Sequence, residues 1–135
     1  MRTKYGNGIR WVYKDLPLSF HPNALPAALG AECAREHGKF WEFHDKLFET
    51  QSEWSSDSNA TQKFKQYAKD LGLNSITFNA CVDSQKYNSE IQKDSAQAAA
   101  FGVSGTPNFF VNGINIPGAF PLATFESIID EELAR

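Results

Sequence analysis

The middle of the chain follows a helical hydrophobic period. Between residues 23 and 102, apolar positions recur every three or four residues, which is the spacing of amphipathic helices. Glycine or asparagine separates these segments at the positions where helices commonly begin and end. The pattern predicts five consecutive helices. Their apolar stripes lie within residues 25–33, 40–48, 64–71, 76–82 and 87–101.

The period changes to that of a strand at both ends of the helical region. Ile9–Tyr13 is rich in β-branched and aromatic residues, which predicts a strand near a sheet edge. Phe109–Val111 and Ile114–Ile116 flank Asn112-Gly113, a pair that predicts a hairpin with a type I′ turn. A last amphipathic segment, 122–134, predicts a helix. The predicted order is therefore β, five helices, β, β, α, which is an α/β fold.

Local signals give further expectations about individual residues. Asn23 is predicted to cap the first helix, and the polar residues 52–59 are predicted to form a loop. Phe101 and Leu133 are expected to point inward from their helices. The acidic residues between 126 and 132 are expected to form a solvated helix face.

A short loop precedes the hairpin and contains Ser104, Gly105, Thr106 and Pro107. A residue before proline is disfavoured in the helical conformation and adopts an extended one. Proline itself has no N–H to donate to a neighbouring strand. This leaves the backbone of Ser104, Gly105 and Thr106 open to a partner. Two interpretations fit the local pattern, namely a purely structural connection to the strand and a binding loop.

Composition limits the classes of function. A chain of 135 residues predicts one domain, residues 1–135. The net charge of −3 provides no basic surface for phosphate contacts, so a nucleic-acid partner is not expected. No apolar run approaches the roughly 20 residues of a membrane span. The first residues also lack the apolar segment of a secretory signal.

The residues that bind metals or carry redox chemistry are few and dispersed. Cys33 and Cys81 lie 81 − 33 = 48 positions apart, which matches neither a Cys-x-x-Cys pair nor a metal-binding spacing. They form either one structural disulfide or two buried thiols. His21, His37 and His44 have no ligand partners at suitable spacing, so no metal site is predicted. No phosphate-binding glycine loop is present, and no cofactor is predicted.

Several segments together resemble a known family. They are Arg10–Leu18, Phe20–Pro22, Ala31–Ala34, Lys39–Asp45, Thr106-Pro107 before the Asn-Gly hairpin, and Gly118-Ala119. This set is similar to the DsbA-like branch of the thioredoxin superfamily, whose members are thiol–disulfide oxidoreductases. The resemblance implies a thioredoxin fold built from residues 9–22 and 103–135 and split by a helical insertion, residues 23–102.

The resemblance also implies roles for particular residues. It makes the Thr106–Pro107 bond cis and makes Ser104–Pro107 the loop at which an unfolded protein or peptide segment binds. It favours an extracytoplasmic location, where a structural disulfide between Cys33 and Cys81 would form.

One part of the family pattern is not found in this sequence. Family members carry a strand, a Cys-x-x-Cys motif and the helix that it opens, all before the segment that corresponds to Ile9–Tyr13. This sequence has no Cys-x-x-Cys, so no catalytic residue is assigned. We therefore expect the C-terminal portion of a DsbA-like oxidoreductase that is inactive in dithiol exchange. The alternatives are a non-catalytic peptide-binding or assembly module and a relative that handles glutathione conjugates.

The first strand of the thioredoxin fold would lie between the Ile9–Tyr13 strand and the Phe109 strand. Without it, both neighbours would have unpaired backbone groups. Three arrangements resolve this: the chain is part of a longer protein, a second copy fills the gap in a homodimer, or the flanking strands pair directly.

Overall fold

The computed structural model describes all 135 residues, and the chain divides into two compact units. Residues 15–97 form one of them, here called the helical unit. Residues 1–14 and 98–135 form the other, here called the strand unit. None of the helices is both long and apolar enough to cross a bilayer.

The helical unit contains the five predicted helices and one further short helix. Their bounds are α2 Ala24–Arg35, α3 Phe40–Glu49, α4 Gln51–Trp54, α5 Ala60–Asp70, α6 Ser75–Asp83 and α7 Asn88–Ala100, whose last residues belong to the strand unit. The start of α6 is capped by Asn74, whose Oδ1 accepts hydrogen bonds from the N–H groups of Ile76 and Thr77 at 3.0 and 3.2 Å.

Helix α2 packs against α3, α5 and α6, so it lies at the centre of the helical unit. The side chains of Phe43, Phe64 and Phe78 are fully buried in this core. Close packing is possible because α2 has small residues on its inner side. A Cβ added to Gly30 would lie 3.0 Å from the ring of Phe43, so only glycine fits there without displacing the ring.

Cys33 of α2 and Cys81 of α6 form a disulfide bond inside the helical unit. Their Cα atoms are 5.9 Å apart, and both residues are buried. The structure contains no free cysteine. The bond therefore closes a loop of 48 residues between two helices that also share the aromatic core.

The strand unit has one β-hairpin and a long C-terminal helix. Its elements are α1 Arg2–Tyr5, a 3₁₀ turn Gly6–Gly8, β1 Phe109–Val111, β2 Ile114–Ile116 and α8 Leu122–Leu133. The antiparallel register pairs Phe109 with Ile116 and Val111 with Ile114. Asn112 and Gly113 both have positive φ, as the predicted type I′ turn requires.

The predicted strand Ile9–Tyr13 is not found. The sheet contains β1 and β2 alone, and the Ile9–Tyr13 segment is irregular, with an extended backbone at Ile9. Trp11, Val12 and Tyr13 are all exposed, so this segment buries no continuous apolar face. The physical reason is that β-branched and aromatic residues favour a strand only where a neighbouring strand accepts the hydrogen bonds.

Three expectations for individual residues are wrong as well. Phe101 lies beyond the last residue of α7, where helical spacing no longer fixes its direction, and its side chain is 65% exposed. Leu133 is the last residue of α8 and is also exposed. Asn23 precedes α2 without capping it, because its amide donates instead to the carbonyl oxygens of Trp54 and Asp57 at 2.7 and 2.8 Å.

Two further differences involve short helices. Residues 52–54 of the predicted loop belong to α4. The unpredicted α1 contacts the acidic face of α8. The hydroxyl of Tyr5 donates to Asp130 at 2.8 Å, and the Nζ of Lys4 lies 3.5 Å from both Glu126 and Asp130. That acidic face is therefore partly paired, rather than simply solvated as expected.

Candidate functional site

The loop Ser104–Pro107 connects the end of α7 to β1. The helix is closed by a hydrogen bond from the N–H of Val103 to the oxygen of Ala98 at 2.9 Å, with Gly102 in a left-handed conformation. All four loop residues are exposed. The peptide bond between Thr106 and Pro107 is cis in the structure.

The backbone of this loop and of β1 has unpaired hydrogen-bonding groups. No hydrogen bond within the chain uses the N–H of Ser104, Gly105 or Thr106. In a two-residue hairpin, the residues next to the turn form the first hydrogen-bonded pair, so Val111 and Phe109 bond to β2. The N–H and C=O of Phe110 consequently point away from β2. The loop and strand therefore share one open edge, here called the β1 edge.

Side chains on both faces of the hairpin border the β1 edge. On one face the ring of Phe109 packs edge-on against Phe125 of α8, with centroids 4.7 Å apart. On the other face Phe110 is 48% exposed and lies 6.2 Å from the ring of Phe101. Beside it, the amide of Asn108 donates to Asn115 at 2.8 Å. The face of Phe101 and Phe110 thus offers apolar contacts next to unpaired backbone.

The segment that carries the β1 edge has no charge. No Asp, Glu, Lys, Arg or His occurs between Ala98 and Phe125. The segment therefore contains no carboxylate, imidazole or amine for acid–base chemistry, and no thiol for redox chemistry. What it offers is backbone hydrogen bonding and apolar contact, which are the elements of binding. The charge-free run is visible in the sequence, although neither the hydrophobic period nor the turn signals point to it.

The two cysteines belong to the helical unit, where they are buried and bonded to each other. In that state neither offers a thiolate for attack on a substrate disulfide. Nowhere in the structure do three or more His, Cys, Asp or Glu side chains form a group that could hold a metal ion.

The chain resembles curated proteins that are much longer than itself. It is 31% identical over 130 residues to the Na(+)/H(+) antiporter NhaA of Herminiimonas arsenicoxydans, a match that covers 96% of this chain and 20% of that protein. It is 34% identical over 122 residues to the Na(+)/H(+) antiporter NhaA 3 of Salinispora tropica, covering 90% of this chain and 18% of that protein. The chain thus spans about one fifth of the length of these relatives.

The fold resembles that of a solved structure, a thioredoxin-like oxidoreductase from Silicibacter pomeroyi DSS-3. The TM-score is 0.72 at 23% identity, and the match covers 92% of this chain and 68% of the other. This confirms the predicted thioredoxin-like α/β fold with its helical insertion, although only two strands are formed. A family model described as thioredoxin matches residues 1–131. The chain therefore belongs to the thioredoxin family.

Proposed function

We propose that this chain is the peptide-binding, C-terminal portion of a DsbA-like thiol–disulfide oxidoreductase and that it does not itself carry out dithiol exchange. The observation that carries the proposal is the β1 edge, in which the free N–H groups of Ser104–Thr106 continue into the outward-facing backbone of Phe110. The family membership supports the oxidoreductase class.

Binding at such an edge occurs by strand addition. An extended segment of an unfolded protein pairs its backbone with the loop and with Phe110, and this pairing supplies affinity with little dependence on sequence. Alternate side chains of the bound segment lie on the face of Phe101 and Phe110, which favours apolar residues there. The uncharged segment imposes no charge requirement on the partner.

The proposed inactivity follows from the chemistry of exchange. A thiolate must attack a substrate sulfur, and its reactivity depends on access and on a suitable thiol pKa. This chain has two cysteines, and both are held in a buried disulfide of the helical unit.

The second candidate is a non-catalytic binding or assembly module. The charge-free segment favours it, because a binding role needs nothing beyond backbone and apolar contacts. A relative that handles glutathione conjugates is less well supported. Glutathione carries two carboxylates, and the segment from Ala98 to Phe125 supplies no cation to bind them.

Binding without turnover is the expected result for this chain. A fluorescein-labelled, uncharged, extended peptide with alternating apolar residues should raise the fluorescence anisotropy on titration with the protein. Thr106→Pro removes one N–H from the β1 edge and should weaken binding at least about fivefold, since a hydrogen bond contributes about 1 kcal/mol. In insulin reduction with dithiothreitol, the protein should not exceed the rate without protein.

Ser58→Pro is the matched control. Ser58 is exposed and occupies the second position of a turn closed by the N–H of Ala60 on the oxygen of Asp57, where proline is well tolerated. It should bind the peptide as the unmodified protein does. Equal affinity of the Thr106→Pro variant would contradict the assigned binding site, whereas insulin turnover would contradict the proposed inactivity.

We also propose that, when no peptide is bound, two copies associate through the β1 edge, so that dimerisation and peptide binding compete. An exposed strand with unpaired backbone is a template for pairing with another strand, and a second β1 supplies one. Light scattering coupled to gel filtration should then give about twice the chain mass of 15.1 kDa, and Phe110→Lys should shift the mass towards that of one chain. A mass of one chain at high protein concentration would exclude the homodimer.

A further inference from the structure

One face of the hairpin carries two carboxamide side chains beside its aromatic ones. Phe110 and Asn115 lie directly opposite each other in the register, so their side chains share this face. Asn108 reaches the same face, because its Nδ2 donates to Oδ1 of Asn115 at 2.8 Å. With Phe101 beside Phe110, the face has an apolar half and a carboxamide half, and it is here called the amide–aromatic face.

The carboxamide of Asn108 has an acceptor that the chain does not use. A carboxamide carries two N–H donors and one acceptor oxygen. The contact with Asn115 uses the nitrogen, and no hydrogen bond within the chain uses Oδ1 of Asn108. Nitrogen and oxygen diverge from one planar carbon, so directing the nitrogen towards β2 turns the oxygen away from β2. The acceptor is therefore on the same side of the hairpin as the β1 edge.

A strand added at the β1 edge brings one side chain next to this acceptor. Neighbouring strands lie about 4.8 Å apart, and residues that lie opposite each other point to the same face. The residue opposite Phe110 therefore contacts the aromatic rings of that face. Because side chains alternate along a strand, the residue two positions away in the added segment lies beside Asn108. This spacing is the same for parallel and for antiparallel addition.

We propose that the β1 edge selects extended segments with asparagine or glutamine at one position and an aromatic or large aliphatic residue two positions away. The carboxamide N–H of the segment donates to Oδ1 of Asn108, which extends the pair of Asn108 and Asn115 into a ladder across three strands. Amide side chains form such ladders where strands stack side by side. This inference rests on the binding function proposed for the β1 edge and adds the class of segment that binds there.

Other side chains fit the position beside Asn108 less well. An apolar side chain shields Oδ1 of Asn108 from water without donating to it, and an acceptor that loses its water without gaining a donor weakens binding. A charged side chain meets no opposite charge, because the segment from Ala98 to Phe125 contains none. A carboxamide is uncharged and supplies the donor. The selection therefore excludes wrong side chains as well as attracting the right one.

The apolar half of the pattern comes from the rings of Phe101 and Phe110. Both are exposed, and their centroids are 6.2 Å apart. A large apolar side chain opposite Phe110 buries part of both rings, and this burial contributes affinity. The hydrogen bond at Asn108 forms in one register only, so it fixes where the segment lies along the edge.

Two peptides test the selection in the full chain. Both are extended, fluorescein-labelled and otherwise uncharged, and they differ only at the position two residues from a phenylalanine. This position is asparagine in one peptide and leucine, which has a similar size, in the other. Fluorescence anisotropy gives the ratio of their dissociation constants, and dimerisation cancels in this ratio because it competes equally with both peptides.

The unmodified protein should bind the asparagine peptide more tightly. Asn108→Leu should abolish this preference and shift the ratio at least about fivefold, which is the factor expected for one hydrogen bond. Asn115→Ala leaves Asn108 in place but removes the partner that orients it, so it should shift the ratio in the same direction. The leucine peptide should still bind both variants, since Phe101, Phe110 and the loop backbone are unchanged.

Asn59→Leu is the matched control, because Asn59 is exposed in the helical unit and its side chain does not cap the helix that follows. It should keep the preference of the unmodified protein. Equal binding of both peptides, or a preference that survives in Asn108→Leu and Asn115→Ala, would overturn the amide selection and leave the binding function in place. If neither peptide binds the unmodified protein, the binding function is contradicted together with the selection.

Discussion

Replacing both cysteines, Cys33→Ala with Cys81→Ala, should lower the free energy of unfolding by about 4 kcal/mol. The bond closes a 48-residue loop, and its loss restores conformational freedom to the unfolded chain. Denaturation by urea at neutral pH, followed by circular dichroism, measures the change. A domain has about 5–15 kcal/mol of stability in total, so this is a large fraction.

The matched control is the unmodified protein in excess reductant. Reduction under unfolding conditions breaks the bond but keeps both sulfur atoms, so it separates loop closure from the packing lost on truncation. The reduced protein should lose most of the same stability. A loss below about 1 kcal/mol in both samples would show that the loop-closure argument does not apply.

The disulfide has a structural reason in the composition of α2. The inner side of this central helix carries small residues, including Ala27, Gly30 and Ala31, which permit close approach of Phe43 but bury little apolar area themselves. A helix with leucine at these positions would gain stability by burying more apolar area. In α2, the covalent link between Cys33 and Cys81 supplies stability instead.

Local signals explain why so much of the fold could be predicted. Helices begin and end at residues such as Asn74, and the Asn112-Gly113 turn needs nothing beyond its own two residues. The prediction of a strand at Ile9–Tyr13 is wrong because a strand needs a partner, and the residues of one segment do not specify where its partner lies. The prediction that Phe101 points inward is wrong because the helix ends at Ala100, one residue earlier than the hydrophobic period indicates.

The candidate site also has parts that the sequence predicts and parts that it does not. Ser104–Pro107 could be located from the X-Pro rule together with the family resemblance. The outward direction of the Phe110 N–H and C=O could not be predicted in the same way. It follows from the pairing register of the two strands, and the turn type fixes that register only if the hairpin forms. The hydrogen bond between Asp15 and Asp94 joins two distant parts of the chain and has no local signature.

The second large effect concerns Asp15→Asn and the pH dependence of stability. Burial raises the folded-state pKa of Asp15 to about 8, above the unfolded value, so the folded protein retains a proton that the unfolded chain releases. The resulting stabilisation is complete below about pH 4 and is lost as pH rises to about 8. Over that window, the free energy of unfolding should fall by up to about 1.4 kcal/mol per pH unit.

Asparagine mimics the protonated side chain, because its amide can donate a hydrogen bond and does not ionise. The Asp15→Asn variant should therefore lack this slope and exceed the unmodified protein in stability by several kcal/mol at about pH 8. Urea unfolding at one-unit steps between about pH 5 and about pH 8 measures the difference, in which titrating groups that do not interact with Asp15 cancel. Glu90→Gln, which removes one exposed charge, should keep the original slope. If Asp15→Asn instead lowers stability equally at every pH, the side chain is ionised in the folded protein, and its carboxylate stabilises the helical unit.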